Sequence, residues 1–97
     1  MDDINTIKIS KDKVIEIFKQ LIKQIKIDID NSSGKEQTKN MFRLRSIENA
    51  TKIIEKITDR DISINEVKNI KGIGEGTIRR IGEIIKTGKL KEIKITK

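Results

Sequence analysis

The residues best placed to do chemistry lie together, in Ile70-Lys71-Gly72-Ile73-Gly74-Glu75-Gly76-Thr77-Ile78-Arg79-Arg80-Ile81. Gly72, Gly74 and Gly76 fall at alternate positions, with an apolar residue between the first two. Glycine accepts positive φ and leaves its backbone N–H uncovered by a Cβ. Val67 and Ile70 form a short apolar run before the glycines, and Ile78, Ile81, Ile84 and Ile85 follow at helical spacing. The glycines therefore sit in a tight turn between two helices. Their N–H groups open the second helix, an end that favours an anion. Lys71, the Thr77 hydroxyl, Arg79 and Arg80 lie within a turn of the same point. A nucleic-acid phosphate is the natural ligand, and a bare helix–helix turn is the competing reading. A dinucleotide fold needs a buried strand before the glycines, and a Walker loop needs a Lys-Ser/Thr pair after them. Neither is present.

Other chemistries are narrowed by composition. The 97 residues contain no cysteine, so neither disulfides nor thiolate reactions arise, and no histidine, the usual general base and metal ligand. Tryptophan and tyrosine are absent. Phe18 and Phe42 are the only aromatic residues, too few to stack a run of bases. Asp28, Asp30 and Asn31 lack the downstream glutamate of a calcium loop. The net charge of +7 suits an acidic partner. Lysine, isoleucine and asparagine all have AT-rich codons, so the grouped arginines Arg43, Arg45, Arg60, Arg79 and Arg80 say more than the total charge. No apolar run approaches the ~20 residues of a membrane span. Met1-Asp2-Asp3 lacks the basic start of a secretory signal. The expectation is an intracellular protein, nuclear or cytoplasmic, from a cellular or viral AT-rich genome.

The elements that must position the glycine turn can be read in order. Residues 1–10 read as a flexible or extended arm. Ser10 is a plausible N-cap. Val14, Ile17, Phe18, Leu21, Ile22 and Ile25 then form a helical stripe over about Lys11 to Ile27. Asp28 to Lys39 holds the turn cluster Asn31-Ser32-Ser33-Gly34 and reads as the one long loop. A second helix is predicted over about Thr38 to Thr58, with Met41, Leu44, Ile47, Ala50, Ile53, Ile54 and Ile57 on its apolar face. Ser63-Ile64-Asn65-Glu66 reads as a capping box opening a short helix to Asn69. A last helix runs from about Glu75 to Lys86, with Gly88 as C-cap. Gly82 inside it suggests a close helix contact. The early part of the stretch from Lys89 is expected to pack back on the bundle, with 94–97 a basic tail.

The core apolar-x-Gly-apolar-Gly resembles the helix-hairpin-helix motif. The wider run from Gly72-Ile73-Gly74 through Thr87-Gly88-Lys89-Leu90, with Phe42-Arg43-Leu44-Arg45-Ser46-Ile47-Glu48-Asn49-Ala50, is similar to the amino-terminal domain of family X DNA polymerases, the polymerase beta type. A related domain opens some crossover-junction endonucleases. The resemblance covers about Val14 to Ile93. It implies a hairpin that holds a DNA phosphate, with the N–H groups of Gly74, Gly76 and Thr77 facing the phosphate oxygens. It also implies a monovalent cation, Na+ or K+, on the backbone carbonyls of Lys68, Ile70 and Ile73. Arg43 matches a basic position that touches a 5′-phosphate at a gap. The family domain often acts as a lyase through a lysine, and that lysine matches Arg80. Arginine stays protonated and cannot form an imine. Ile47 stands where the family has tyrosine, and Gly76 and Glu92 where it has basic residues.

The expectation is an all-α, compact four-helix domain over 11–93 ending in a helix-hairpin-helix at 64–87. Its phosphate-binding residues would be Lys71, Gly72, Gly74, Gly76, Thr77, Arg79, Arg80 and Arg43. Phe42 lies off the apolar stripe and would either stack on a base or pack under the arm. No residue is assigned a catalytic role. The expected partner is gapped, nicked or branched DNA in repair, with no membrane, and a larger repair enzyme as a further partner. The chain would be free-standing or the front of such an enzyme. The alternatives are a protein-docking module of a repair enzyme and, behind it, a deoxyribose-phosphate lyase.

Overall fold

Ser10 starts the first helix: its hydroxyl accepts from the Lys13 N–H at 3.4 Å. In a computed structural model that describes residues 4–94, α1 then runs over Lys11–Asp30. Val14, Ile17, Phe18, Leu21 and Ile25 bury one face of it, so Phe18 belongs to the core as expected. The second helix, α2, is Gly34–Glu55 and packs antiparallel-style back along α1 through Ile47, Ala50, Thr51 and Ile54. Among the described residues the fold is all-α apart from one small two-stranded pairing.

The long loop expected between these helices is a tight turn of Asn31, Ser32 and Ser33. The first turns of α2 supply what the end of α1 lacks. Gln37 Nε2 donates to the Ile29 carbonyl at 3.2 Å, and Asn40 Nδ2 to the Asp28 carbonyl at 3.4 Å. Satisfying the last carbonyls of a helix in this way lets both helices extend into the turn. Asn40 is consequently buried. Met41, expected in the core, is 55 % exposed. The buried face of α2 is set by Ile47, Ala50 and Ile54, and counting back by seven from Ile47 reaches residue 40 rather than 41.

At its far end α2 stops at Glu55, short of Thr58. The Ile57 carbonyl accepts from Lys11 Nζ at 2.5 Å, which draws the chain off the helix axis. It enters strand β2, Asp61–Ile62, which pairs antiparallel with β1, Ile9–Ser10, in the register Ile9↔Ile62 and Ser10↔Asp61. The arm is therefore docked from residue 4 onward, correcting the flexible expectation; residues 1–3 lie outside the described residues. A 3-10 turn at Ile4–Thr6 rests against the last two helices, and Lys8 pairs with Glu66. A two-residue strand is stable here because it is anchored by helices on both sides.

Helix α3 is only Ile64–Val67, and α4 is Glu75–Thr87. The capping box does not form. Ser63 is extended, and its hydroxyl meets the Glu66 carboxylate at 3.3 Å, itself claimed by Lys8. Ile64, Val67, Ile81 and Ile84 join the core, and Leu90 folds back onto it as expected. Gly88 ends α4 in the left-handed conformation, φ +78°, donating to the Ile84 carbonyl at 2.7 Å. A Cβ on Gly82 would lie 3.6 Å from Ile64 Cδ1 and 4.0 Å from Ile4 Cδ1, so this face of α4 touches both α3 and the arm. Lys94 is tied in as well, its N–H donating to Gln24 Oε1 at 2.8 Å; 95–97 lie outside the described residues.

Candidate nucleic-acid interface

The loop between α3 and α4 is held by its apolar residues. Ile70 and Ile73 are half-buried against the core, and the Ile70 N–H donates to the Val67 carbonyl at 3.0 Å. Ile73 N–H then donates to the Ile70 carbonyl at 3.2 Å, closing the turn. Gly72, between them, has φ +98°. A Cβ there would stand 2.8 Å from Ile53 Cδ1 and 4.0 Å from Asn49 Nδ2. The turn is thus seated on the outer side of α2; Gly72 is required by its torsion angle, and a Cβ there would also displace the end of the Ile53 side chain.

Gly74 is different. It is the N-cap of α4, with φ −90° and ψ 169°, an extended conformation open to any residue. Nothing lies within 4 Å of where its Cβ would stand. The N–H groups of Gly74, Glu75 and Gly76 reach no carbonyl among the described residues, and no side chain caps the helix. Three free donors and the positive end of the helix dipole converge on an open surface. Lys68 and Lys71 in the turn and Arg79 in the early part of α4 are exposed, and none of them pairs with a carboxylate among the described residues. Such an arrangement has the chemistry to hold an anion with a spread of oxygens, such as a phosphate diester. On the other side of the turn, the Lys68 and Ile73 carbonyls accept from no backbone N–H among the described residues, and Ile70 O keeps its second lone pair. These oxygens are therefore left able to accept from, or coordinate, another group.

A family model described as a helix-hairpin-helix domain matches residues 10–90. The chain belongs to that family. No curated protein and no solved structure matches it. Helix-hairpin-helix domains generally bind DNA without regard to sequence. In this one, the hairpin comprises α3, the turn at 68–74 and α4.

The other expected site residues are not all at the hairpin mouth. Thr77 is 2 % exposed, its N–H donates to the Gly74 carbonyl at 3.1 Å, and its hydroxyl is buried without a partner. It supports the turn from beneath instead of meeting a surface ligand. Arg80 points away from Arg79. Its Nε donates to Glu92 Oε2 at 2.5 Å and its Nη2 to Glu92 Oε1 at 3.1 Å. Arg43 reaches the same carboxylate, Nη2 to Oε1 at 2.9 Å, and also Asn40 Oδ1 at 3.0 Å and Asp28 at 3.4 Å. Both arginines are therefore neutralised inside the fold. Burial pushes the Glu92 carboxyl up, but the Arg80 and Arg43 guanidiniums outweigh it and hold the group below the usual carboxylate range. Phe42 is exposed by 65 %, and not packed under the arm.

Sequence reasoning missed two parts of this surface. Glu92 as the shared partner of Arg43 and Arg80 was invisible because the contacts span 49 and 12 residues. The outward face of α2 beside Gly72 did carry a signal: residues 38, 42, 45, 49, 52 and 56 repeat at four and three.

Proposed function

We propose that the chain binds DNA through its phosphate backbone, without sequence preference, at gapped, nicked or branched sites in repair. The hairpin N–H groups of Gly74, Glu75 and Gly76 take one phosphate, and Lys71 and Arg79 add charge. A Na+ or K+ ion on the Lys68, Ile70 and Ile73 carbonyls supplies a further positive charge beside the same phosphate. Phe42 offers a ring to an unpaired base. The preference for interrupted DNA rests on the similarity to the polymerase beta-type amino-terminal domain, with a larger repair enzyme as the natural companion and an intracellular location. No covalent step is included, since Arg80 stands where a lyase lysine would.

The observation that carries this reading is Gly74, the hairpin glycine the fold itself does not need. Neither its torsion angles nor its neighbours exclude a side chain. A close ligand does. The test is Gly74→Ser, measured by fluorescence anisotropy on intact duplex, gapped DNA with a 5′-phosphate and single strand over a salt series. Serine is a favoured N-cap, so the melting temperature should hold or rise. Affinity should fall by about tenfold or more, with the wild type losing affinity steeply as salt rises, as backbone binding demands. Unchanged affinity in the variant would remove the hairpin from the interface.

A further inference from the structure

A hollow of about 490 Å³ lies where the arm meets the last two helices. Ile4 of the arm, Ile64 of α3 and Ile78 of α4 wall it with branched aliphatic chains, and Gly82 lies beside them. Gly82 sits inside α4 with no positive φ to require a glycine. A Cβ there would make only ordinary contacts, 3.6 Å to Ile64 Cδ1 and 4.0 Å to Ile4 Cδ1. Alanine suits a helix interior better than glycine. The fold therefore accepts a side chain at this position, and what the glycine provides is open space in the hollow. Arg79, Lys86 and Lys91 border that space. All three are exposed, and none pairs with a carboxylate among the described residues. One acid, Glu83, stands among them. Its Oε2 accepts from the Lys91 N–H at 2.6 Å, and its Oε1 accepts from no group among the described residues.

We propose that this hollow docks an acidic segment of a partner protein. One apolar side chain of the segment enters beside Gly82, its carboxylates pair with Arg79, Lys86 and Lys91, and one of its backbone N–H groups donates to Glu83. The occupant follows from the chemistry of the walls and rim. Unpaired cations call for negative charge. A carboxylate with a free oxygen calls for a donor, which a peptide backbone carries and a sugar-phosphate backbone lacks. Aliphatic walls call for an aliphatic or aromatic side chain; a nucleic-acid base would bring polar edges that these walls leave unpaired, at a cost. A peptide meets all three demands at once. Arg79 and Lys86 are seven residues apart, about 10 Å along the helix at ~1.5 Å per residue. That equals about three residues of extended chain at ~3.3 Å each. The segment therefore places its acids at about that spacing, on either side of the apolar anchor. The site stands independently of DNA binding.

The probe is a short synthetic peptide with one leucine flanked by aspartates, compared with versions carrying alanine for the leucine or lysine for the aspartates. Binding is followed by backbone amide shifts in NMR and by anisotropy of a labelled copy. Wild type should bind the leucine–aspartate peptide more tightly than either companion, with the largest shifts at Ile4 and along 78–87. Gly82→Leu fills the hollow from within. It should hold or raise the melting temperature, leave duplex DNA affinity as it was, and weaken the peptide about tenfold, the loss of one buried apolar side chain. Should that variant fail to fold, Gly82→Ala carries the same test, with a smaller loss of peptide affinity and a higher melting temperature. Lys86→Gln/Lys91→Gln should weaken the peptide about three- to fivefold, as rim ion pairs do. At moderate salt its duplex affinity should change little. Peptide binding that survives both Gly82 changes would overturn the proposal, since acids would then be reading only the overall charge. So would shifts gathered at the Gly74 and Gly76 amides, or no shifts at all. Equal losses of peptide and duplex binding in these variants would overturn it in favour of DNA on this face.

Discussion

Three glycines at alternate positions look equivalent in the sequence and do different work in the fold. Gly72 is fixed by the chain itself. At φ +98°, with Ile53 Cδ1 2.8 Å from the place of a Cβ, Gly72→Ala should cost about 1–3 kcal/mol, since a left-handed torsion and a clash add. In a domain of this size that is a fall in melting temperature on the order of 10 °C, readable by thermal circular dichroism. Gly74→Ser should show the reverse pattern, retained stability with weakened DNA binding. Gly76 stands between them: a Cβ would meet Arg80 Nη1 at 3.3 Å, so the side chain must give way. The spacing was enough to place a turn and an anion site. Which glycine served the fold and which the ligand depended on Ile53 and on empty space beside Gly74, and neither leaves a mark in the local sequence.

Elements fared unevenly for a similar reason. The apolar stripe of α1 and the glycine stop of α4 are local signals, and both helices lie close to where the pattern put them. The α1–α2 turn and the short α3 depend on side chains that reach across, Gln37 and Asn40 in one case, Lys8 in the other. Arg43 and Arg80 show the same limit at the site. Their type and position suggested phosphate ligands, but Glu92 joins α2, α4 and the stretch after α4 into one cluster. This cluster should be visible in a pH titration. The Glu92 carboxyl is held below its ordinary value, so its contribution is complete above the unfolded pKa and is lost as pH falls through the folded one. Unfolding in urea from pH 7 down to pH 3 should show a loss of stability in the acid limb. Glu92→Gln should lower stability at pH 7 by about 1–2 kcal/mol, leaving two part-buried guanidiniums short of their counter-charge, and should flatten that limb. An unchanged acid limb would mean the ion cluster adds nothing to the fold.

Across the whole molecule, the hairpin is mounted from two sides. On one, Gly72 sits on Ile53 of α2. On the other, the arm brings Ile4 against Gly82 and Ile64, pairs Lys8 with Glu66, and joins β1 to β2 just ahead of α3. A four-residue helix has no stability of its own, so α3 and the turn after it depend on these two supports. Removal of residues 1–8 takes away the Ile4 and Lys8 contacts of the second support while keeping β1 and Ser10 as the cap of α1. Losing the partly buried Ile4 should cost about 1–2 kcal/mol by lost apolar burial. The informative effect is local. The bonds from Ile73 N–H to Ile70 O and from Ile78 N–H to Gly74 O hold the phosphate donors in place. In hydrogen exchange, these two amides should lose protection in the truncated chain by more than the core amides of α1 do. DNA affinity should fall with them, because donors that are no longer fixed must be ordered again on binding. If the hairpin amides and α1 lose protection equally, the arm stabilises the domain as a whole and the mount is α2 alone.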